Sequence, residues 1–307
     1  MPSTEIRIGT RGSPLALAQA REVRRRLAHA LSLEESGILI VPIRTSGDRI
    51  TDRPLLEAGG KGLFTKEIDE ALLAGDIDMA VHSAKDMPTA LPGGIVIAAT
   101  LPREDVRDAL LSPKVASLAD LPQGAVLGTS SLRRKAMALR LRPDLRIVDL
   151  RGNVGTRIRK LDEGVADATV LAMAGLNRLG LAGRASGVLD IDRWLPAVAQ
   201  GTIAIATRAQ DAQNLDRVLR IDDRETSIAL RAERAFLAVL DGSCRTPIGG
   251  LARLDADVLT IRGIIIKPDG TEAHEAAVRG GIEDAERLGA ELGASLRRAG
   301  GPDFFEG

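Results

Sequence analysis

The sequence predicts an α/β protein of βαβ units around a largely parallel sheet, with a small α+β unit at its C-terminal end. Three observations predict it. Short β-branched runs alternate with amphipathic stretches from residue 5 to about residue 222, which reads as βαβ units and a largely parallel sheet. The chain has 307 residues, too many for one ordinary core. After about residue 222 the pattern changes to a long helix, a loop, two strands and a final helix.

Taken in order, the first strand is expected over Glu5–Gly9. Ser13 and Pro14 then open a helix over about 14–31, because a serine hydroxyl caps free N–H groups and proline fits the first helical position. Strands are expected at Ile38–Ile43, Ile77–Val81 and Ile95–Ala99, with a helix at about 64–74. Further strands at Ala125–Gly128, Arg146–Leu150, Ala168–Ala172 and Thr202–Ala206 enclose helices at about 131–141, 154–162 and 173–179. The closing unit holds a helix at about 224–240 and strands at about 248–254 and 257–266. Its last helix places Ala285, Leu288, Leu292 and Leu296 on one face.

Composition narrows the class. With 44% hydrophobic and 27% charged residues, the chain is an ordinary globular protein. One cysteine excludes an intramolecular disulfide framework and suits a reducing compartment. The N-terminal stretch has no apolar h-region and no run approaches eighteen apolar residues, so neither a signal peptide nor a membrane span is expected. The expected location is cytoplasmic.

Charge is balanced overall, 42 basic against 42 acidic residues, but not locally. From Arg133 to Lys160 there are ten Lys/Arg and only Asp144 and Asp149 against them. Arginines at that density repel one another, so an anion is expected among them.

The loops after the strands carry the chemistry, since ligands of open α/β sheets sit at the carboxyl ends of strands. Thr10-Arg11-Gly12-Ser13-Pro14 pairs a helix N-terminus with a full positive charge, an anion site or simply a capped turn with a solvated arginine. The glycine-rich loop 57–64 lacks the spacing of a P-loop and fits a phosphate cradle or a mobile lid. His82-Ser83-Ala84-Lys85-Asp86 follows a strand; Lys85 and Asp86 set a cation beside a possible proton donor, or form a surface ion pair, and His82 reads as a core residue. In Thr129-Ser130-Ser131-Leu132-Arg133-Arg134 the arginines occupy the first turn of a helix, where the dipole disfavours cations, which points to a compensating anion or else to a solvated basic face. Leu150-Arg151-Gly152-Asn153 through Arg157 repeats the arrangement one unit later. The lone Cys244 sits in a loop of small residues, which fits a buried thiol or a reactive, modified one equally.

Seven of these segments, in order, closely resemble the porphobilinogen deaminase (hydroxymethylbilane synthase) family. They are Arg11-Gly-Ser-Pro-Leu-Ala, Gly-Gly-Lys61-Gly-Leu-Phe64, His82-Ser-Ala-Lys-Asp-Met-Pro-Thr, Gly128-Thr-Ser-Ser-Leu-Arg-Arg, Leu150-Arg-Gly-Asn-Val-Gly-Thr-Arg, Ala174-Gly-Leu-Asn-Arg178-Leu-Gly and Leu195-Pro-Ala-Val-Ala-Gln200-Gly. The cysteine loop follows them. Ser243 departs from the family's usual glycine before the cysteine; serine is small, and an intact thioether is expected.

The resemblance implies two doubly wound domains similar to periplasmic binding proteins, residues 1–102 with 200–220 and residues 103–199, the latter carrying the arginine-rich cleft. A small α+β third domain, 221–307, carries the cysteine. It implies a transferase of tetrapyrrole (porphyrin, heme) biosynthesis that deaminates porphobilinogen and joins four units head to tail into hydroxymethylbilane. Growth is primed on a dipyrromethane cofactor bound through a thioether, which maps onto Cys244, with no metal required. Residue by residue, Asp86 maps onto the catalytic carboxylate. Lys85, Asp86, Ser131, Arg133 and Arg134 map onto cofactor binding. Arg11, Ser13, Arg151, Arg157 and Arg178, with Ser83 and Gln200, map onto the substrate and growing chain, and Phe64 onto the packing near the rings. A monomer without nucleic-acid or membrane partners is implied.

Two other classes stay in view. A nucleic-acid-binding protein would use the same basic cluster on phosphates, but single-strand binding wants aromatic platforms, and this chain has four Phe, one Trp and no Tyr. A non-catalytic binding protein for small anions would share the architecture yet have no use for Asp86 or Cys244.

Overall fold

The computed structural model describes residues 5–49, 62–240 and 246–305. Lys61, Ser243 and Cys244, with most of the loop at 57–64, lie outside the described residues.

In chain order the elements begin with β1 (Ile6–Arg11), α1 (Pro14–Leu31), β2 (Ile38–Ile43), α2 (Ser46–Arg49), α3 (Lys66–Ala74), β3 (Met79–Ser83) and β4 (Ile95–Thr100). Then come β5 (Asp108–Leu111), β6 (Val126–Gly128), α4 (Leu132–Leu141), β7 (Arg146–Val148), α5 (Val154–Asp162), β8 (Ala168–Ala172), α6 (Met173–Arg178) and β9 (Gly187–Val188). The chain continues through β10 (Ile203–Arg208), α7 (Ala212–Leu219), α8 (Arg224–Val239), β11 (Ile248–Asp255), β12 (Val258–Ile266), β13 (Ala273–Gly281) and α9 (Ala285–Gly300).

Two compact units result. The first joins the residues up to Arg103 to Thr202–Ser227; the second joins Glu104–Gly201 to the residues from Ile228 onward. In the first, a five-stranded sheet runs β2-β1-β3-β10-β4. Strands β1, β2 and β3 are parallel, whereas β10 is antiparallel to both β3 and β4. The second unit repeats this plan as β7-β6-β8-β5-β9, with β5 antiparallel to β8 and β9. The sheets are therefore mixed rather than largely parallel: each holds one reversed strand, fourth in its order. In the first unit the reversed strand, β10, is the one that comes from the later segment, Thr202–Ser227.

Helices form where expected because caps and periodicity agree. The Ser13 side chain accepts from Ala16 N–H at the start of α1, and Ser131 and Asn153 do the same for Arg134 and Thr156 N–H at the starts of α4 and α5. Helix α1 buries Ala16, Ala20, Val23 and Leu27, spaced at three to four residues, against the first sheet. Strands β5, β9 and β13 and helices α2 and α7 were not expected from the sequence. Strand β5 is only Asp-Ala-Leu-Leu and starts on a charge, while β13 contains alanines and glycines of low strand propensity.

The second unit also holds a three-stranded antiparallel sheet, β11-β12-β13, covered by α9. Leu288, Leu292 and Leu296 of α9 are buried. Gly289 lets α9 approach α8 backbone to backbone, since a Cβ there would lie 2.0 Å from the Ala232 carbonyl oxygen. This sheet belongs to the same compact unit as the second doubly wound sheet for a packing reason. Leu127, Val170, Trp194 and Leu195 share one hydrophobic cluster with Leu251, Ile264 and Ile266.

Candidate functional site

In the first unit, neighbouring parallel strands β1 and β3 deliver their C-terminal loops side by side. Arg11 ends β1, and its guanidinium carbon lies 4.2 Å from the centre of the Phe64 ring, a cation–π contact that orients the charge. Ser13 caps α1 directly after it. Beyond β3, residues Ala84–Asp86 form one 3₁₀ turn, anchored by Ala84 N–H on the Thr202 carbonyl at 3.0 Å and closed by Met87 N–H on the Ala84 carbonyl at 3.2 Å. Lys85 is half-buried and Asp86 exposed. Among the described residues the Asp86 carboxyl takes part in no hydrogen bond or ion pair. Ser83 is held by Gln19 of α1, whose Nε2 donates to Ser83 Oγ at 2.8 Å.

His82 is buried as expected of a core residue, but its Nε2 has no hydrogen-bond partner among the described residues. Burial, reinforced by the nearby Arg11 charge, pushes its imidazole down to about 4, so it is neutral at pH 7.

The second unit presents three such loops. The first, after β6, carries Ser131 as N-cap of α4 and then Arg133 and Arg134. The sequence leads one to expect an external anion between these arginines; the structure supplies an internal one first. Asp108, at the start of β5, is fully buried and accepts from Arg133 Nη2 and Arg134 Nη2, both at 2.7 Å. Burial alone would raise the Asp108 carboxyl, but the two guanidinium charges win and hold it far below the usual carboxylate range. Burial lowers Arg133. Two cations against one carboxylate leave this buried group with a net positive charge. Gln200, also fully buried, donates from Nε2 to Asp108 Oδ1 at 2.9 Å and to the Val106 carbonyl at 2.8 Å.

The second loop, after β7, carries Arg151, whose Nε donates to Asp149 at 2.6 Å, and Arg157, whose Nε donates to the Gly152 carbonyl at 2.8 Å. In the third, at the end of α6, Arg178 donates from Nη2 to the Gly201 carbonyl at 2.8 Å.

The dense basic stretch is thus several structures rather than one site. Arg142 is a brace: its Nη1 donates to the carbonyls of Leu118, Ala119 and Leu121, and its Nε and Nη2 grip Asp144. Arg159 pairs with Glu163 along its own helix. Sequence reasoning missed Asp108, Trp194 and Gln19. A faint signal existed for Gln19, a polar residue on the apolar face of α1. None existed for Asp108, whose partners lie 25 and more residues away. Among the described residues, no group of three or more His, Cys, Asp or Glu is placed to hold a metal ion, and no helix is long and apolar enough to cross a membrane.

Each unit sets guanidinium groups in the loops at the carboxyl ends of its strands, the arrangement of an α/β protein able to take up anions there. Comparison with known proteins gives the family. The model for the porphobilinogen deaminase dipyromethane cofactor binding domain matches residues 6–216, and that for the porphobilinogen deaminase C-terminal domain matches 227–298. The porphobilinogen deaminase of Nitrobacter hamburgensis is 60% identical over 97% of this chain and 94% of its own length. That of Paracoccus denitrificans is 55% identical over 99% and 97%. Among solved structures, a nutrient-binding protein from Burkholderia cenocepacia bound to methionine is similar over 72% of this chain and 93% of its own, at 19% identity and a TM-score of 0.44. The chain belongs to the porphobilinogen deaminase family.

Proposed function

We propose that this chain carries out its family's reaction, deaminating porphobilinogen and joining four units into hydroxymethylbilane, with Asp86 as catalytic carboxyl and Cys244 as the cofactor's point of attachment. The observation that carries the residue assignment is the buried, net-positive group around Asp108. The donor set fits a dipyrromethane, whose side chains end in carboxylates: Arg133 Nε and Arg134 Nε are buried without a partner among the described residues, and a ligand carboxylate satisfies both the charge and the open donors. When bound, this cofactor supplies the pyrrole carbon on which the first substrate unit is added. In the second unit Ser131, Arg133 and Arg134 hold its carboxylates; in the first, Lys85 adds a point charge.

Asp86 acts on the substrate itself. It is exposed and uncommitted, so it can exchange protons; its carboxyl protonates the departing amine of porphobilinogen, and the resulting carboxylate then faces the cationic methylene pyrrolenine. Arg11, steered by Phe64, and Ser13 bind acetate and propionate groups of incoming substrate. Arg151, Arg157 and Arg178 receive carboxylates as units are added, and Gln200 and Ser83 orient neighbours. The single cysteine supports a reducing, cytoplasmic setting, and we read the chain as a monomer needing neither nucleic acid nor membrane.

The test couples mass to turnover. The purified chain should carry the mass excess of two linked pyrroles, and Cys244→Ala should lack it. Asp86→Asn should stay folded and loaded while kcat falls about 10²–10⁴-fold, the range of a lost general acid. An Asp86→Asn chain that keeps more than a tenth of its turnover removes Asp86 from the mechanism.

A further inference from the structure

Consecutive residues on a helix point about 100° apart, so Arg133 and Arg134 do not converge by themselves. Both are nevertheless drawn to one carboxylate. Asp108 Oδ2 accepts from Arg133 Nη2 at 2.7 Å and Trp194 Nε1 at 2.8 Å, and Oδ1 accepts from Arg134 Nη2 at 2.7 Å and Gln200 Nε2 at 2.9 Å. Two donors on each oxygen satisfy the carboxylate completely. Its backbone is pinned as well: Asp108 stands opposite Ala172 in the β5–β8 ladder, and its carbonyl accepts from Leu189 N–H at 2.9 Å.

The two arginines are not used alike. Arg133 donates from Nη1 to the Leu195 carbonyl at 2.8 Å as well as from Nη2 to Asp108, whereas among the described residues the Arg134 side chain uses only Nη2. The remaining donors of Arg134 therefore stand ready in a fixed orientation. Helix α4 adds its positive N-terminal end to the same place.

We propose that Asp108 is the positioning residue of the cofactor-binding arginines: it gathers Arg133, Arg134 and Gln200, cancels one of the two guanidinium charges, and leaves a net charge of +1 that one ligand carboxylate neutralises. This rests on the reading that a dipyrromethane carboxylate binds these arginines. Without Asp108, two desolvated guanidinium groups in adjacent positions repel and part. With it, the pair is assembled before any ligand arrives, and binding pays less ordering entropy.

The experiment compares Asp108→Asn, Asp108→Glu and a packing control, Val170→Ala, which trims the neighbouring core without touching the network. Two quantities are read on the full-length chain: the fraction carrying the mass excess of two linked pyrroles, and the rate at which the unloaded fraction gains it from porphobilinogen. Asp108→Asn keeps the shape but loses the charge and turns an amide NH₂ toward groups that are themselves donors; its loading rate is expected to fall at least tenfold. Asp108→Glu keeps the charge and is expected to lie between, at least threefold below the parent and at least threefold above the Asn variant. Val170→Ala is expected to load within twofold of the parent even where its Tm falls as far. Loading of Asp108→Asn within twofold of Val170→Ala, or Glu no better than Asn, overturns the assignment. If Asp108→Asn does not fold, parent-like loading of Asp108→Glu overturns it. A parent chain with no mass excess instead sinks the cofactor reading itself, so the two failures are told apart.

Discussion

Glu233 offers the sharpest test of how the second unit holds its site. It sits in α8, fully buried, and its carboxylate accepts from Ala199 N–H at 2.5 Å and Ala252 N–H at 2.7 Å. One side chain thus ties β11 to the turn before Gln200, where Ala199 has φ of 64°. A left-handed alanine costs about 1 kcal/mol, which the Glu233 bond must offset. Glu233→Gln keeps the volume but sets an amide NH₂ against one of the two N–H donors. Orphaning that buried donor costs about 1–3 kcal/mol, and the remaining bond loses its charge assistance, about 1 kcal/mol more. The total is about 3 kcal/mol. For a cooperative body of 150–250 residues each kcal/mol moves Tm by about 2–4 °C, so a fall of about 6–12 °C is expected. Calorimetry on the loaded chain reads it, with Ala199→Gly in the same background as a second arm. Glycine adopts positive φ freely, so the double variant should regain about 1 kcal/mol. A fall under 2 °C, or no recovery with glycine, refutes the reasoning.

Three further outcomes are expected. Phe64→Leu removes the ring beneath Arg11, so KM for porphobilinogen should rise roughly 3–10-fold with kcat within twofold; an unchanged KM shows that Arg11 needs no such guide. Arg133→Leu should yield mostly unloaded protein by intact mass, whereas Arg11→Leu should load normally and raise KM; identical behaviour of the two would end the proposed division of labour. The acid response of the first unit should be a difference of two opposed effects. His82, pushed down to about 4 by burial, stabilises in its neutral form, and that contribution fades as pH falls from about 6.5 toward 4. Burial pushes Asp69 up to about 6, so its contribution is full below its ordinary value near 3.8 and fades as pH rises toward 6. Against the parent chain, His82→Leu should therefore gain relative stability on acidification from pH 6.5 to 4, and Asp69→Asn should lose it. Urea midpoints across that range check both signs, and parallel curves for all three chains contradict them.

Much of the architecture was written in local sequence. Ser13, Ser131 and Asn153 cap the helices that they announce, and the strands at Ile38–Ile43 and Ala168–Ala172 fall where β-branched runs place them. Elements that draw stability from partners rather than from their own residues were invisible. Strand β5 exists because β8 and β9 flank it, and β13 because β12 offers nine consecutive partners.

The site divides in the same way. Arg11, Lys85, Asp86, Ser131, Arg133, Arg134, Arg151 and Arg157 could be singled out as candidates because each stands beside a strand end or helix start that the sequence marks, whereas Arg178, at the end of α6, came only from the family resemblance. What each arginine faces was not. Local sequence alone determined that a cluster of positive charge lies at the loops of an α/β protein, since capping, periodicity and charge are properties of neighbouring residues. Only the tertiary structure decided that Arg142 braces carbonyls, that Arg133 and Arg134 share buried Asp108, and that Asp86 is left uncommitted among the described residues. The reason is physical: a charge finds its partner through space, and Asp108 reaches Arg133, Arg134, Trp194 and Gln200 across 25 to 92 residues of chain.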